Sequence, residues 1–520
     1  MEEATSNETN PVSVSGNSRR GFLKAGGMAA AAGMTLAGLA GKAQAAPSVE
    51  MPKKWDETYD VVIIGTGFAG LSAAVEARHA GANVMVLDKM RTHGGNSIIN
   101  GGEIAAPGNK WQKEAGIEDS PDLLYKDMMK AGSYLNHPEL VRTVADNALK
   151  DFEWCQEFVG ARFHQLVFHG GHSVKRSVQT INASGSELVN ALFTKAKAMG
   201  VKFSFTTKME RLVLNPEGRV VGLEVRKGYK FPDDKSGSPL FVKASKAVIL
   251  AAGGFSQNKQ MRQIHDPRVT DKYESTNHPG ATGEVLLSAC KVGAMDVQMD
   301  WIQMGPWTSP DEKGFGQVPQ FCERLVGFGP MVDPATGKRF IQETGNRKVR
   351  ADAMMEIGHP TIIFGDSVNV ARQILPHTLE KGMENGSIKK YDSLEDLAKA
   401  YSIPVITLKE EVAKWNSYVA KKNDPDFNCK IFPETTPTAV APFYAARLWP
   451  RVHYTMGGLV INKEAQVRSF DMQVIKGLYA AGEVAGAVHG AVRLGTCSML
   501  DCVVFGRIAG RNSVREAAWS

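Results

Sequence analysis

The stretch that decides the fold runs from residue 59 to residue 88 and reads YDVVIIGTGFAGLSAAVEARHAGANVMVLD. Its first six residues form a mostly apolar run typical of a strand, and a second such run, 83–87, ends beside Asp88. Between the two runs, alanine and leucine recur at helical spacing as far as Ala80. A strand, a turn, a helix and a strand in this order predict a Rossmann-like unit, so the fold class is α/β with a parallel sheet.

The turn of this unit is rich in glycine. Glycine at these spaced positions permits a tight turn, close approach of backbone N–H groups to a pyrophosphate, and packing of the helix on the strand. An acid at the end of the second strand can accept a hydrogen bond from a ribose hydroxyl. The alternative is a glycine turn that binds no ligand. The cofactor contacts predicted in this unit are Gly65, Gly67, Phe68, Ala69, Gly70 and Asp88.

Further glycine-rich segments favour FAD over NAD. Residues 89–102, KMRTHGGNSIINGG, can lie against an isoalloxazine ring. Strands that end in glycine turns follow at 247–255 and 477–483, and Glu483 in the second turn can hold the ribityl hydroxyls. Segments at the start, middle and end of the chain predict one cofactor domain built from distant pieces around an insertion. The other predicted flavin contacts are Lys89, Gly94, Gly95, Asn96, Ser97, Gly101, Gly102, Ala252, Gly253 and Ser498.

Composition excludes several classes of protein. The chain has 520 residues, of which 43% are apolar and 22% charged, with a net charge of +6. These values are typical of a globular protein and exclude intrinsic disorder and collagen. The basic residues are scattered without aromatic neighbours, which argues against nucleic-acid binding.

Residues 1–45 have the three parts of a secretory signal. Arg19 and Arg20 precede an apolar segment rich in alanine and glycine, and Ala43-Gln44-Ala45 resembles a cleavage site. The apolar segment is too short and too rich in small residues to span a membrane. We therefore predict export by the twin-arginine machinery to the periplasm in folded form, and no later transmembrane segment.

The six cysteines show no paired spacing. There is no Cys-x-x-Cys, and therefore neither a redox dithiol nor the attachment motif of a c-type haem. We predict no necessary disulfide and no metal site. The cysteines are Cys155, Cys290, Cys322, Cys429, Cys497 and Cys502.

Four further motifs carry a resemblance to a known family. They are NHPGATG at 277–283, GKRF at 337–340, HYTMGG at 453–458 and HGAVRLG at 489–495. With the flavin segments, they resemble the soluble fumarate reductases and related enoate reductases, which are the flavin parts of flavocytochromes c. Succinate dehydrogenase flavoprotein subunits are more distant relatives. The resemblance covers about Glu57 to Arg511, and the domains it implies are a flavin domain, 56–299 and 453–520, and a capping domain, 300–452.

The resemblance also implies the roles of four residues. His453 and Arg493 match the positions that clamp a substrate carboxylate, and Arg347 matches the proton donor. Glu323 matches the acid that returns a proton to this arginine. The chemistry agrees, because a guanidinium holds a carboxylate in a fixed direction. An arginine with a reference pKa above 12 needs a neighbouring acid to act as a donor.

Three departures from the family pattern concern the substrate. Gly305 and Cys322 replace a histidine and a threonine that hold the second carboxylate of a dicarboxylate. Val326 replaces an outer arginine of the proton relay, for which Arg324 or water can substitute. We therefore expect a monocarboxylate with an apolar or bulkier β-substituent, such as an acrylate, methacrylate or arylacrylate. The residues expected to wall this pocket are Trp301, Met304, Trp307, Phe321 and Phe328.

Two reactive side-chain types need separate interpretation. The segment around His93 resembles one through which membrane-bound relatives attach FAD covalently. The Gly-Gly-Asn that follows resembles the soluble branch, so we expect FAD to be non-covalent. Cys322 and Cys497 lie near the predicted proton relay and flavin, where redox activity is possible in principle, but packing roles are the simpler interpretation.

Together these features predict a periplasmic FAD-dependent reductase of an α,β-unsaturated carboxylate that serves anaerobic respiration. The chain has neither a haem motif nor a second nucleotide fingerprint, so a separate c-type cytochrome is the expected electron donor. Three alternatives stay open: a fumarate reductase, a flavin dehydrogenase similar to 3-ketosteroid desaturases, and a flavin carrier without enzymatic activity.

Overall fold

The computed structural model describes residues 51–519. The predicted signal, residues 1–45, lies outside these described residues. In the part of the chain that is described, no helix has the length and apolar character needed to cross a membrane. Each of the six cysteines is unpaired.

Residues 51–519 form a mixture of strands and helices. The strands are β1 Glu57–Ile64, β2 Val84–Leu87, β3 Glu103–Ala105, β4 Phe163–Val167, β5 Ser177–Thr180, β6 Lys202–Ser204, β7 Thr207–Leu214, β8 Val220–Lys227, β9 Ser238–Leu250, β10 Asp296–Val297, β11 Ile302–Gly305, β12 Met331–Asp333, β13 Lys338–Arg339, β14 Thr361–Asp366, β15 Lys389–Tyr391, β16 Phe443–Leu448, β17 Arg451–Thr455, β18 Gly458–Leu459, β19 Gln466–Arg468 and β20 Val474–Ala480. The α-helices are α1 Phe68–His79, α2 Gly95–Ile99, α3 Lys110–Glu114, α4 Pro121–Ala131, α5 Pro138–Glu157, α6 Ser186–Ala198, α7 Lys259–His265, α8 Glu284–Lys291, α9 Val318–Leu325, α10 Arg347–Ile357, α11 Ser367–Gln373, α12 Pro376–Glu384, α13 Leu394–Ala400, α14 Val405–Lys421 and α15 Cys497–Arg515.

The predicted βαβ unit is formed by β1, α1 and β2. β1 and β2 are parallel, with Val61 opposite Val84, and their apolar side chains are buried. α1 begins directly after Gly67 and packs so closely on the turn that a Cβ on Gly70 would lie 2.0 Å from the carbonyl oxygen of Gly65. Glycine is therefore required at Gly70 by the approach of helix to turn.

The unit belongs to an eight-stranded sheet assembled from distant segments. The order of its main path is β19-β20-β9-β1-β2-β6, and β8 and β7 extend from β9. β9, β1, β2, β6 and β20 pair in parallel, so the predicted α/β class and the assembly from separate pieces are confirmed. Parallel strands covered by helices on the faces form the largest apolar core.

The last helix, α15, lies against α1. Cβ atoms on Gly506 and Gly510 would lie 2.5 and 2.4 Å from the carbonyl oxygens of Ala69 and Ala73. This close contact sets the middle of α15 against the first two turns of α1.

A separate five-stranded sheet lies within residues 331–448, inside the predicted capping segment. Its order is β13-β12-β14-β16-β15, and all its pairs are antiparallel. α9 packs its apolar face on this sheet through Phe321, Cys322 and Leu325. β11 pairs with β17, so the two ends of the capping segment meet at one ladder.

Candidate active site

Two adjoining cavities lie at the carboxyl ends of the parallel strands. The smaller has a volume of about 120 Å³ and is lined by residues that directly follow β1, β9 and β20. The larger has a volume of about 310 Å³ and extends toward α9 and α10. This edge of a parallel sheet is where such folds bind ligands. Five residues line both cavities: Phe68, Asn96, Ser97, Glu483 and Cys502.

The smaller cavity contains most of the predicted nucleotide contacts. Asp88 Oδ2 accepts from the backbone N–H of Thr66 at 3.1 Å, and Oδ1 accepts from that of Met90 at 2.9 Å. Burial raises the pKa of Asp88 against these hydrogen bonds. The predicted residues that line this cavity are Gly65, Gly67, Phe68, Ala69, Asp88, Lys89, Gly94, Gly95, Asn96, Ser97, Ala252, Gly253 and Glu483.

Close backbone packing shapes this wall. A Cβ on Gly65 would lie 2.3 Å from Ala251 O, so only glycine lets the turn close there. Gly70 and Gly102 line neither cavity. Gly70 lies behind the turn, and a Cβ on Gly102 would meet Thr180 and Ser184, so both glycines serve close packing rather than direct contact.

Glu483 lies at the junction of the two cavities. Its Oε1 accepts from the backbone N–H of Thr455 at 3.0 Å and from Thr455 Oγ1 at 3.2 Å. Burial raises the pKa of Glu483 to about 7 despite these bonds. Thr455 does not use the second carboxylate oxygen, Oε2, which can therefore accept hydrogen bonds from the ribityl hydroxyls of a flavin. Gly101 and Ser498 line the larger cavity nearby.

His93 is turned toward α6. Its ring stacks on Phe193 with centroids 4.0 Å apart, and its Nε2 lies 3.0 Å from Asn190 Oδ1. His93 is not among the residues that line either cavity.

The larger cavity brings together four residues that are far apart in sequence: Glu323, Arg347, His453 and Arg493. Arg347 begins α10, Glu323 lies on α9, His453 lies on β17, and Arg493 follows β20. The indole of Trp307 joins two of them, because Arg347 Cζ lies 4.3 Å from its ring and the His453 ring meets it edge-on at 5.1 Å.

The two guanidiniums are buried without full pairing. Arg347 Nη1 and Arg493 Nε have no hydrogen-bond partner among residues 51–519. Burial, and then the charge of Arg493, lower the pKa of Arg347 to about 9. Burial also lowers the pKa of Arg493. Buried cations that repel each other across a cavity form a site for an anion.

His453 completes this anion site as a neutral ring. Its Nδ1 hydrogen-bonds with Thr276 Oγ1 at 2.8 Å, which fixes the ring and leaves Nε2 for a ligand. Burial, followed by Arg493 and Arg347, holds the pKa of His453 well below its ordinary value.

Glu323 lies between two arginines of α10. Arg350 Nη2 donates to Glu323 Oε1 at 2.7 Å, and Arg347 Nη2 lies 3.9 Å from Oε2. Arg350 was not identified from sequence, because nothing in the local pattern of an Arg-rich helix marks which guanidinium turns inward.

Two predicted substrate contacts are corrected by the structure. Neither Gly305 nor Cys322 lines the larger cavity. Cys322 points into the apolar core of the five-stranded sheet, and burial raises its pKa, which also argues against redox activity. At Gly305, an added Cβ would lie 3.2 Å from the Trp307 ring, so the indole occupies the space into which a side chain would project. Cys497 is also buried, with a raised pKa.

The predicted pocket walls are partly corrected too. Trp307 and Phe328 line the larger cavity, whereas Trp301, Met304 and Phe321 do not. Met304, on a strand, and Phe321, on a helix, each belong to an apolar cluster, because their positions in the strand and helix periods face the core. Phe68, predicted as a cofactor contact, also lines this cavity, and four aromatic residues that sequence reasoning missed supply the other walls: Phe168, Phe315, Phe432 and Tyr454.

A polar network on another wall was also missed. Gln179 Nε2 donates to Glu103 Oε1 at 2.7 Å, and Gln179 Oε1 accepts from Arg324 Nη2 at 3.1 Å. His169 Nε2 lies 3.5 Å from Glu103 Oε2. Arg324, suggested above as a substitute in the relay, thus pairs with Gln179, and Arg350 is the residue that bonds Glu323.

Known flavoproteins resemble this chain in sequence and in fold. A family model described as FAD binding domain matches residues 60–499. The chain belongs to this family. It is 40% identical over 506 residues to the acrylate reductase flavoprotein subunit of Shewanella woodyi, which covers 95% of this chain and 97% of that subunit. It is 36% identical to the urocanate reductase of Eggerthella lenta, over 90% of this chain and 76% of that enzyme.

A solved structure supports the same assignment. The open conformation of a flavocytochrome c3 fumarate reductase superposes with a TM-score of 0.72 at 33% identity, over 89% of this chain and 79% of that chain. The resemblance inferred from the motifs and the FAD cofactor are therefore confirmed. The family member described here is an FAD-dependent oxidoreductase of the enoate and fumarate reductase type.

Proposed function

We propose that this flavoprotein reduces the C=C bond of an α,β-unsaturated monocarboxylate of the acrylate, methacrylate or arylacrylate type. The observation that carries the proposal is the pair of buried, incompletely paired guanidiniums, Arg347 and Arg493, that face one cavity beside the flavin segments. A single substrate carboxylate would satisfy both cations and relieve their repulsion.

The roles of the side chains follow from this placement. Arg493 and His453 hold the carboxylate, which orients the double bond and draws electron density toward it. Reduced flavin, when bound, supplies a hydride to the β-carbon. Arg347 then gives a proton to the α-carbon, and Glu323 returns a proton to Arg347. Arg347 is suited to this step because its pKa, about 9, is far below that of an ordinary arginine.

The expected specificity rests on the wall beside Trp307. A second carboxylate placed there would meet the Trp307 ring, whose single neutral N–H is a weaker partner than a charged or paired donor, since Gly305 has no side chain and Cys322 points away. An unpaired carboxylate buried against apolar groups is costly, so a dicarboxylate should bind poorly.

The cellular setting is also proposed. The signal pattern in residues 1–45 supports export to the periplasm by the twin-arginine machinery. With no haem motif on the chain, a separate c-type cytochrome is the expected electron donor in anaerobic respiration.

The mode of cofactor binding and the domain limits are proposed as well. The stacking of His93 on Phe193 supports non-covalent FAD. The domain limits 56–299 with 453–520, and 300–452, fit the two larger sheets.

Anaerobic reoxidation of the reduced flavin tests the proposal. The FAD-loaded enzyme is reduced with dithionite and mixed with acrylate, methacrylate, cinnamate, urocanate or fumarate, and flavin absorbance is followed. We expect rapid reoxidation by at least one monocarboxylate and loss of that reaction in Arg493→Ala. A 3-ketosteroid desaturase-like enzyme would retain activity in Arg493→Ala, and a flavin carrier would be reoxidised by none of these acids.

Fumarate remains the second candidate because of Arg324. This residue lines the larger cavity, and its Nε has no hydrogen-bond partner in the described chain. If Arg324 holds a second carboxylate, Arg324→Gln should raise KM for fumarate much more than KM for acrylate.

A further inference from the structure

Glu323 is held from the side opposite Arg347. Arg350 Nη2 donates to Glu323 Oε1 at 2.7 Å, while Oε2 faces Arg347 Nη2 at 3.9 Å. Arg347 and Arg350 are three residues apart on α10 and therefore share one face of the helix. Arg350 is 1% exposed, so its guanidinium is fixed within the protein instead of sampling solvent.

The helix that carries Glu323 supplies no cation of its own to this carboxylate. α9 ends at Leu325, and the residue that follows, Val326, is apolar. The adjacent Arg324 bonds Gln179 instead. Arg350 is thus the one guanidinium within hydrogen-bonding distance of Glu323 among the residues that the structure describes.

We propose that Arg350 is a positioning residue for proton transfer: it fixes Glu323 Oε1 and keeps this carboxylate ionised and aimed at Arg347. The inference rests on the proposed function. In each turnover the N–H bond of Arg347 breaks as the C–H bond at the α-carbon forms, and the electron pair stays on Arg347. A proton from solvent then passes through Glu323 to restore the Arg347 cation.

The charges around Glu323 support this assignment. Burial raises the pKa of Glu323, but Arg350, then Arg347 and His169, outweigh burial and hold it below its ordinary value. Burial likewise opposes the charge of Arg350, but Glu323 outweighs it and raises the Arg350 pKa. Arg350 therefore keeps its proton, which suits a positioning residue better than a second proton carrier.

The test compares Arg350→Gln, Arg350→Lys and wild type in steady-state reduction of the best unsaturated acid, across pH. Loss of an opposite charge at this distance shifts a carboxyl pKa by about 1–3 units. We therefore expect the acid limb of kcat in Arg350→Gln to move upward by that amount. We also expect kcat at neutral pH to fall by about 10- to 100-fold, with KM changed less than about twofold, since the substrate clamp is intact.

Arg350→Lys keeps a charge at this point and should leave the acid limb in place with a smaller loss of kcat. Arg262→Gln is the matched control, because Arg262 is also buried but lies on α7, away from both cavities, where it donates to Tyr273 O. This control should lose thermal stability and keep the wild-type pH profile. FAD content and thermal unfolding establish that each variant is folded.

Two results would overturn this inference and leave the proposed function intact. In the first, the wild-type enzyme reduces an enoate, and Arg350→Gln shows the same acid limb of kcat as wild type. In the second, the acid limb is displaced as far in Arg350→Lys as in Arg350→Gln. If Arg350→Gln does not retain FAD, the acid limb of kcat in Arg350→Lys is compared with that of wild type, and a displaced acid limb in Arg350→Lys overturns the inference. Failure of the wild-type enzyme to reduce any unsaturated acid would instead overturn the proposed function, and this inference with it.

Discussion

Arg347 carries its charge where water has little access. Only 9% of the residue is exposed, one face of its guanidinium lies on Trp307, and Arg493 faces the same cavity. Desolvation and like-charge repulsion both favour loss of its proton, while Glu323 opposes that loss. An arginine in this balance can act as an acid, which a solvated arginine cannot do at neutral pH.

Arg347→Lys tests this role at the level of one side chain. The ammonium keeps the charge that attracts a carboxylate but cannot reproduce the position of the guanidinium fork. We expect substrate binding, read from the flavin spectrum, to persist while kcat falls by about 10²–10⁴-fold. Arg515→Lys, at an exposed position of α15, should leave kcat unchanged. Near-native turnover in Arg347→Lys would remove Arg347 from the mechanism.

The pH dependence of kcat/KM gives an independent test. Arg347 must be protonated to attract the carboxylate and to donate, and kcat/KM reports the free enzyme. Burial, followed by Arg493, lowers the Arg347 pKa to about 9, so kcat/KM should be at its plateau near neutral pH and be lost as pH rises through about 9. FAD absorbance at each pH controls for loss of cofactor. A constant kcat/KM well above this pH would contradict the role.

At the scale of elements, α9 shows what sequence could and could not predict. Glu323 was placed at the site by the family resemblance, and it does line the larger cavity. Its neighbour Cys322 was expected there too, yet helical geometry turns adjacent residues by about 100°, so the thiol faces the core. A motif aligns positions, whereas the direction of each side chain depends on how the helix packs.

The βαβ unit was more predictable, because its signals are local. The predicted first strand, 59–64, is part of β1, and the predicted helix ends within one residue of α1. Strand, turn and helix each follow from backbone and periodicity rules that act over a few residues. The inward turn of Arg350 and the network around Glu103 depend on long-range packing, for which the sequence carries no local signal.

Gly70→Ala tests the packing of α1 on the turn. The added methyl would lie 2.0 Å from the carbonyl oxygen of Gly65, and this contact is with backbone, which cannot rotate away as a flexible side chain can. We expect a loss of most bound FAD and a large fall in Tm. Gly67→Ala is the graded comparison, because its methyl meets the movable hydroxyl of Ser97 at 3.0 Å. It should lose FAD affinity with a smaller change in Tm; wild-type FAD content and Tm in Gly70→Ala would contradict this packing.

At the scale of the whole molecule, the site exists only because distant segments meet. β1, β9 and β20 place the cofactor edge, while α9, α10 and β17 carry the residues that face it. The sequence predicted this assembly from three glycine segments, and the fold confirms it. It did not predict that the Trp307 indole would fill the space beside Gly305, since the direction of that side chain depends on how the segment after β11 packs.

The central claim is that the substrate carries one carboxylate, and the kcat/KM values for fumarate and for monocarboxylates test it most directly. Reduced viologen supplies electrons, and fumarate is compared with acrylate, methacrylate, cinnamate and urocanate at equal concentration. Because a second carboxylate beside Trp307 would have no charged or paired donor, the kcat/KM for fumarate should be lower than that for the best monocarboxylate by ~10²-fold or more. A kcat/KM for fumarate equal to or above the best of these acids would contradict the claim.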